Sequence, residues 1–476
     1  MSRVPLRDAA TGPRTHRFLM PALIAGVVAF QLNASMVTPA LPEIARELDA
    51  AASTVALSQN LFFLVGGVAG VVLSRLSDHL GRRLVLLASL AVMCAGTVLA
   101  MLAPNVELLV LGRVLQGASG ATFQLTYLLL RESMSPKRFG TALGVITALN
   151  GGVGGVDGFL GGFVADRLGF RWIFGTILVT GLIALLCVAR AVPGTPPAKD
   201  AGRMDWWGAA SLSAAIVCVN QAISQGAAHG WGSLWPPVLA VVGAALFLAF
   251  WQIEKRGRTP LIAVRDLRSR QVWPLMATTL LTLVGVFAAM NFTVVLLSQD
   301  EKAGFGMSAT LAALLFLTPP AAIGLLAAPV AGWLAPRKGW LPMLRTGLLA
   351  SALALGVAAV FAGDRWAVLA VCCALGVFYN GLALTMLNGL GVVLSPKESP
   401  GALPGLNGAC FGIGASVGIA LVGPLAGAGT LGGYRTAFAL AVVVTVLALL
   451  ASMLIRQPAE ESSAASAAPS TAPSVR

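Results

Sequence analysis

Between residues 18 and 455, apolar runs of roughly 18 to 25 residues alternate with short clusters of charged and turn-forming residues. An α-helix needs about 20 apolar residues to cross ~30 Å of hydrocarbon, whereas barrel strands are shorter and alternate in polarity. The pattern predicts spans near residues 18–41, 54–74, 84–103, 107–130, 140–165, 172–192, 205–227, 235–252, 272–298, 309–335, 341–362, 366–394, 401–427 and 435–455. The chain therefore reads as an all-α polytopic membrane protein with fourteen transmembrane helices. Residues 457–476 are too poor in apolar side chains to build a core and are expected to form a disordered cytoplasmic tail.

Charge then orients the spans. Only 11% of residues are charged, against 57% hydrophobic, yet the net charge is +13. With a cytoplasmic N-terminus, about 25 of the 32 Lys and Arg fall on the cytoplasmic side and about 6 outside, with one inside a span. Arg3, Arg7, Arg14 and Arg17, then Arg75, Arg82 and Arg83, then the run from Lys255 to Arg270 supply most of the excess. The basic balance sets topology rather than marking a nucleic-acid partner. An even span count returns the C-terminus to the cytoplasm. The expected location is the plasma membrane, and the Arg-over-Lys and Ala/Gly bias points to a GC-rich bacterium. The first apolar run is too long for a cleavable signal and lacks a small-residue cleavage site, so it reads as the first span.

Weak internal repeats divide the chain. LGFRWIF (168–174) opens the sixth span and LGGYRTAF (431–438) the fourteenth; SRLSDHLGRR (74–83) follows the second and the degraded GWLAPRKGW (332–340) the tenth. Each match is offset by eight spans, where two adjoining six-span halves would give six. Spans seven and eight therefore read as an inserted hairpin. The expected organisation is a cytoplasmic segment 1–17, a six-helix half 18–192, a linker and hairpin 193–254, a loop and second half 255–456, and the tail 457–476.

SRLSDHLGRR, with Asp78, Gly81, Arg82 and Arg83, resembles the loop after span two of the major facilitator superfamily. LGRVLQGASGA (111–121), with Arg113, Gln116 and Gly117, resembles its span-four motif, and NASMVTPALP (33–42) the end of its span-one motif. MDWWGAA (204–210) and HGWGS (229–233) resemble the ends of the hairpin in its fourteen-span drug:proton antiporter branch. The ordered set implies the major facilitator fold, two six-helix halves plus the hairpin. It also implies a cytoplasmic gate at Asp78, Gly81, Arg82 and Arg83, and a place for Arg113 in proton coupling. GGVGGVDGFLGG (151–162) aligns with the span-five antiporter motif: Gly161 and Gly162 match, but Asp157-Gly158 replaces Gly-Pro. Gly154, Gly158 and Gly162 at intervals of four suit close helix packing, as does Gly161. Where the branch commonly carries a span-one Asp, this chain has Asn33.

Arg113 is the only basic residue, and Asp157 the only acid, deep in any predicted span. Such charges are costly in hydrocarbon and normally face a cavity or each other. Both lie roughly 12 to 14 Å from the outer membrane surface by helical rise. Asp157 is expected to pair with Arg113 and carry the transported proton. A structural ion pair, a carboxylate bonded to backbone beside Gly158, and direct contact with a cationic substrate are the other readings. The intramembrane amides Gln31, Gln59, Gln116, Gln124 and Asn291, with Asn33, Tyr379 and Asn380, are candidates for the substrate cavity. Asn60, Asn150, Asn220, Gln221, Asn388 and Asn407, and the aromatics Phe123, Tyr127 and Phe378, extend the set. Such a lining suits an amphiphilic or largely neutral organic molecule.

The six cysteines all fall in predicted spans without a CxxC or Cys/His cluster, so neither a disulfide framework nor a metal site is expected. His16, His79 and His229 lie far apart, and no catalytic constellation or P-loop occurs. No enzyme activity or cofactor is expected. The sequence predicts a monomeric secondary transporter that exports hydrophobic or amphiphilic compounds, with proton coupling. The alternative is a dedicated exporter of one metabolite, whose drive need not be protons.

Overall fold

The computed structural model describes residues 13–134, 142, 145, 146, 149, 157–194, 204–230, 232–256, 269, 271–394 and 402–455. The regular elements among them are all helical. In chain order they are α1 (Pro13–Ser35), α2 (Leu41–Glu47), α3 (Ala52–Leu80), α4 (Arg82–Met101), α5 (Val106–Gln116), α6 (Thr122–Ser133), α7 (157–168), α8 (Phe170–Ala191), α9 (Trp206–His229) and α10 (Trp235–Arg256). There follow α11 (Val272–Thr282), α12 (Val294–Gln299), α13 (Ala309–Phe316), α14 (Thr318–Lys338), α15 (Trp340–Val360), α16 (Arg365–Leu375), α17 (Leu384–Val393), α18 (Ala402–Gly427) and α19 (Leu431–Met453).

Twelve stretches among the described residues are long and apolar enough to cross a membrane, against the fourteen expected. The expected span at 107–130 is helical but broken, because a tight 3₁₀ turn over Gly117–Ala121 joins α5 to α6. The small residues GASGA let this turn press onto α3. A β-carbon on Gly117 would lie 2.7 Å from that of Val65, and Gly120 meets the backbone of Gly66. The expected span at 140–165 lies largely outside the described residues, and only α7 represents it.

Three buried hydrophobic clusters organise the helices. One is built from residues 19–192 and another from residues 272–455. The third joins both groups at the end of the molecule where α2 finishes at Glu47, packing Met36, Ile44 and Phe174 with Phe292, Ala309 and Ile419. At that end α7 is wedged between the groups. Gly161 meets the backbone of Met36, and a β-carbon on Gly162 would lie 2.6 Å from the Ala309 carbonyl oxygen. Asp166 Oδ2, also on α7, accepts a hydrogen bond from the Thr310 backbone N–H at 2.8 Å, adding a carboxylate to the α13 N-terminus.

Along its length α3 lies against α18, and α9 and α10 form a hairpin whose α9 packs on both. Three side chains tie this junction. Asn220 of α9 donates to Ser416 Oγ of α18 at 2.8 Å, and Ser416 donates to Asn60 Oδ1 of α3 at 2.5 Å. All three are buried. Asn60 and Asn220 are thus helix-linking groups rather than cavity groups.

Candidate functional site

Between the two helix groups lies a cavity of about 720 Å³. It runs from Ser35 and Thr38, near the middle of the molecule, to Trp340 and Val393, toward the end where α3 turns into α4 and α14 into α15. Nine aromatic side chains line it: Phe30, Phe62, Phe63, Phe123, Tyr127, Phe287, Trp340, Tyr379 and Phe411. Six amides join them: Gln31, Gln124, Asn291, Asn380, Asn388 and Asn407. Among the described residues, no ionisable Asp, Glu, Lys, Arg or His lines the cavity.

The backbone explains several of these positions. Wide π-helical turns over Leu283–Phe287, Ala289–Thr293 and Gly376–Ala383 interrupt the long helices of the second group. Such turns rotate the following side chains and recur at functional sites. Here they carry Phe287, Asn291, Tyr379 and Asn380. Asn407 accepts from Thr279 at 2.6 Å and donates to Asn388 at 3.3 Å, which orients a polar rim. Tyr379 Oη and Gln124 Oε1 are buried without a hydrogen-bond partner among the described residues.

Phe30, Phe62, Phe63 and Phe123 contact one another in stacked and edge-on geometry, with ring centroids 5.2–6.0 Å apart. Phe62 separates the cavity from Arg113, whose guanidinium carbon lies 4.1 Å from the ring centroid. Arg113 is fully buried and meets only neutral oxygen acceptors. Nη1 donates to Asn33 Oδ1 at 2.7 Å, Gln116 Oε1 at 2.6 Å and the Asn33 carbonyl at 3.2 Å; Nη2 donates to Gln59 Oε1 at 2.6 Å. Gln116 donates on to Thr97 Oγ1 at 2.8 Å, and Gln59 to the Ala34 carbonyl at 2.7 Å. Asn33, Gln59 and Gln116, expected in the cavity, instead form the cage of Arg113. Gln31, Gln124, Asn291, Tyr379 and Asn380 do line the cavity.

The expected contact between Arg113 and Asp157 is absent from the ion pairs of the described residues. Asp157 is fully buried and accepts from Ser35 Oγ at 2.5 Å. Asn33 and Ser35 are two residues apart on α1, which turns them about 200° from each other. Arg113 and Asp157 therefore sit at similar depth on opposite faces of one helix. The depth follows from counting residues, but the azimuth does not.

Of the packing glycines, Gly158 faces Leu317, while Gly161 and Gly162 make the backbone contacts described above. Gly154 lies outside the described residues, as does Asn150. In the loop between α3 and α4, Gly81 carries φ 92°, a left-handed value that only glycine adopts freely. Gly339, at the repeat-related turn, carries φ 87°. Asp78 bonds Arg75 at 2.9 Å and pairs with Arg82. Arg82 also bonds Ser77 Oγ at 2.5 Å and Glu132 at 3.1 Å, and Arg83 donates to the Ala189 carbonyl at 2.5 Å. These partners all belong to the first helix group, so these contacts do not tie that group to the second.

Ser35, Phe30, Phe62 and Phe63 were among the residues that sequence reasoning missed, whereas Phe123 was in the expected set. Ser35 had a signal, since it stands four positions after Gln31 on one helical face. Phenylalanines inside an apolar run carry none.

Two bundles of apolar helices around a buried cavity, closed at one end, define a multi-pass membrane transport protein. Residues 23–419 match the family model of the Major Facilitator Superfamily. The chain belongs to this superfamily. It is 40% identical over 407 residues to a uridine/deoxyuridine transporter of Lactococcus lactis subsp. cremoris, covering 84% of this chain and 85% of that one. It is 27% identical to the tetracenomycin C resistance and export protein of Streptomyces glaucescens, over 85% of this chain and 74% of that one. In fold it is similar to the crystal structure of the human organic anion transporter MFSD10, with a TM-score of 0.65 at 14% identity, over 93% of this chain and all of that one.

Proposed function

We propose that this protein moves a small neutral molecule bearing a planar heterocycle, a pyrimidine nucleoside being the class that fits best, by proton-driven alternating access. The observation that carries this reading is the cavity lining of nine aromatics and six amides, without an ionisable carboxylate or cation among the described residues. Aromatic faces stack a planar base at ~1–3 kcal/mol each where measured. Amides supply the paired donors and acceptors that an imide edge and sugar hydroxyls require. The L. lactis relative, whose name gives uridine and deoxyuridine, supports the same class.

The α3–α4 end, with its basic loop, is taken as cytoplasmic, and the α2 end as outer. The cavity then faces inward and the α7 wedge closes the outside, while the contacts of Asp78 and Arg82 among the described residues stay within the first half. Counting the broken helix α5–α6 and one span that includes α7 gives fourteen spans. Asp157 serves as the protonated group of the cycle, and the Arg113 cage holds α1, α3 and α5 in register.

A second reading is export of amphiphilic drugs, favoured by the number of aromatic walls and by the S. glaucescens relative. The two separate in proteoliposomes with an imposed proton gradient, given radiolabelled uridine or the dye ethidium. Saturable uridine flux competed by deoxyuridine, without dye flux, is the expected result. Dye flux without nucleoside flux would overturn the nucleoside assignment.

A further inference from the structure

Ser35 Oγ lies within hydrogen-bond reach of two acceptors: Asp157 Oδ2 at 2.5 Å and the Gln31 carbonyl at 2.6 Å. A hydroxyl has one hydrogen, so it serves only one of them at a time. Ser35 and Gln31 both line the cavity, whereas Asp157 does not. Asp157 Oδ1 has no hydrogen-bond partner among the described residues. The fully buried carboxylate thus meets the cavity through one two-position hydroxyl.

We infer that Ser35 is the positioning residue through which Asp157 exchanges its proton with the cavity and reports its charge there. This rests on the reading of Asp157 as the protonated group of the cycle. With Asp157 ionised, Ser35 donates to Oδ2. A proton carried by cavity water adds to Ser35 Oγ as the serine's own hydrogen passes to Oδ2. Two O–H bonds break, one in the protonated water and one on Ser35, and two form, one on Ser35 and one on Asp157, so the serine is regenerated and the carboxylate becomes a carboxylic acid. The acid then donates to Ser35 Oγ, and Ser35 turns its new hydrogen to the Gln31 carbonyl. Protonation is thereby written into the backbone of α1 beside the substrate cavity.

The surroundings isolate this exchange. Among the described residues, the groups that act on the carboxylate are Ser35 and the backbone N–H groups of Asp157 and Gly158, and the next turns of α7 meet Leu317 at Gly158, Met36 at Gly161, and Ala309 and Thr310 at Gly162. None of them titrates. Arg113 lies beyond the opposite face of α1. Asp166, nine residues further along α7, is about 13 Å away by helical rise.

The test is infrared titration of the purified full-length protein, which needs no substrate. The carboxylic C=O band lost in Asp157→Asn belongs to Asp157. Losing the serine donor favours the acid, so in Ser35→Ala its midpoint should move about one pH unit upward. Its frequency should rise as the acid loses its hydrogen-bond acceptor, while Ser35→Thr keeps both wild-type values. A band unmoved in Ser35→Ala would overturn the role of Ser35 and leave Asp157 as the titrating group. No titrating band lost in Asp157→Asn would overturn the reading of Asp157 and this inference with it. Retained thermal unfolding midpoints in both serine variants exclude misfolding as the cause.

Discussion

A guanidinium without a carboxylate partner among the described residues is costly at bilayer depth, and three amides make it tolerable. Hydrogen bonds to a charged donor contribute about 1.5–3 kcal/mol each. Asn33→Ala or Gln59→Leu strips one acceptor from buried Arg113. Each is expected to lower the thermal unfolding midpoint of detergent-purified protein well beyond the effect of Gln221→Ala, whose side chain is only partly buried. Equal midpoints would show that the cage does not hold the charge. At this scale the sequence marked Arg113 and Asp157 as the two charges requiring an explanation, and no more. Which neutral groups surround them depends on how α1, α3, α5 and α7 rotate about their axes. In spans that are apolar on nearly every face, no polar stripe records that rotation.

Helix limits were legible because they follow from hydrocarbon thickness and turn chemistry, and Gly81 and Gly339 sit where the two repeat-related loops reverse. The breaks inside spans were not. Neither the 3₁₀ turn at Gly117–Ala121 nor the π-helical turns around Asn291 and Tyr379 interrupts the apolar pattern. They exist because neighbouring helices accept the altered backbone. The α7 wedge shows how little space an element can leave. Gly162→Ala places a methyl 2.6 Å from the Ala309 carbonyl, and neither backbone can give way cheaply. The variant is expected to disfavour the state closed at the α2 end. A single cysteine at Thr310 should then react faster with a membrane-impermeant maleimide, and transport should fall severalfold. Gly432→Ala, whose new β-carbon meets nothing within 4 Å, is the matched control and should behave as wild type.

Across the whole molecule, the offset of eight spans between repeats led to the expectation of an inserted hairpin, and nothing in that offset said what α9 and α10 touch. Asn220, Ser416 and Asn60 join it to both groups through one buried hydroxyl. Ser416→Ala leaves two buried amides short of a partner, at a cost of roughly 1–3 kcal/mol each. Destabilisation of that order, with substrate affinity unchanged in an equilibrium binding assay, is expected. An unaltered unfolding midpoint would make the junction incidental. The absence of ionised side chains from the cavity among the described residues reaches further than substrate choice. On the proposed function, a neutral cargo would carry no charge to balance the proton on Asp157, so every turnover would displace net charge across the bilayer. Each 100 mV of membrane potential then adds ~2.3 kcal/mol per proton, equivalent to about a 50-fold concentration ratio. Potassium-loaded proteoliposomes given valinomycin should concentrate or expel uridine without any pH difference, and the protein would be a voltage-powered machine as much as a pH-powered one.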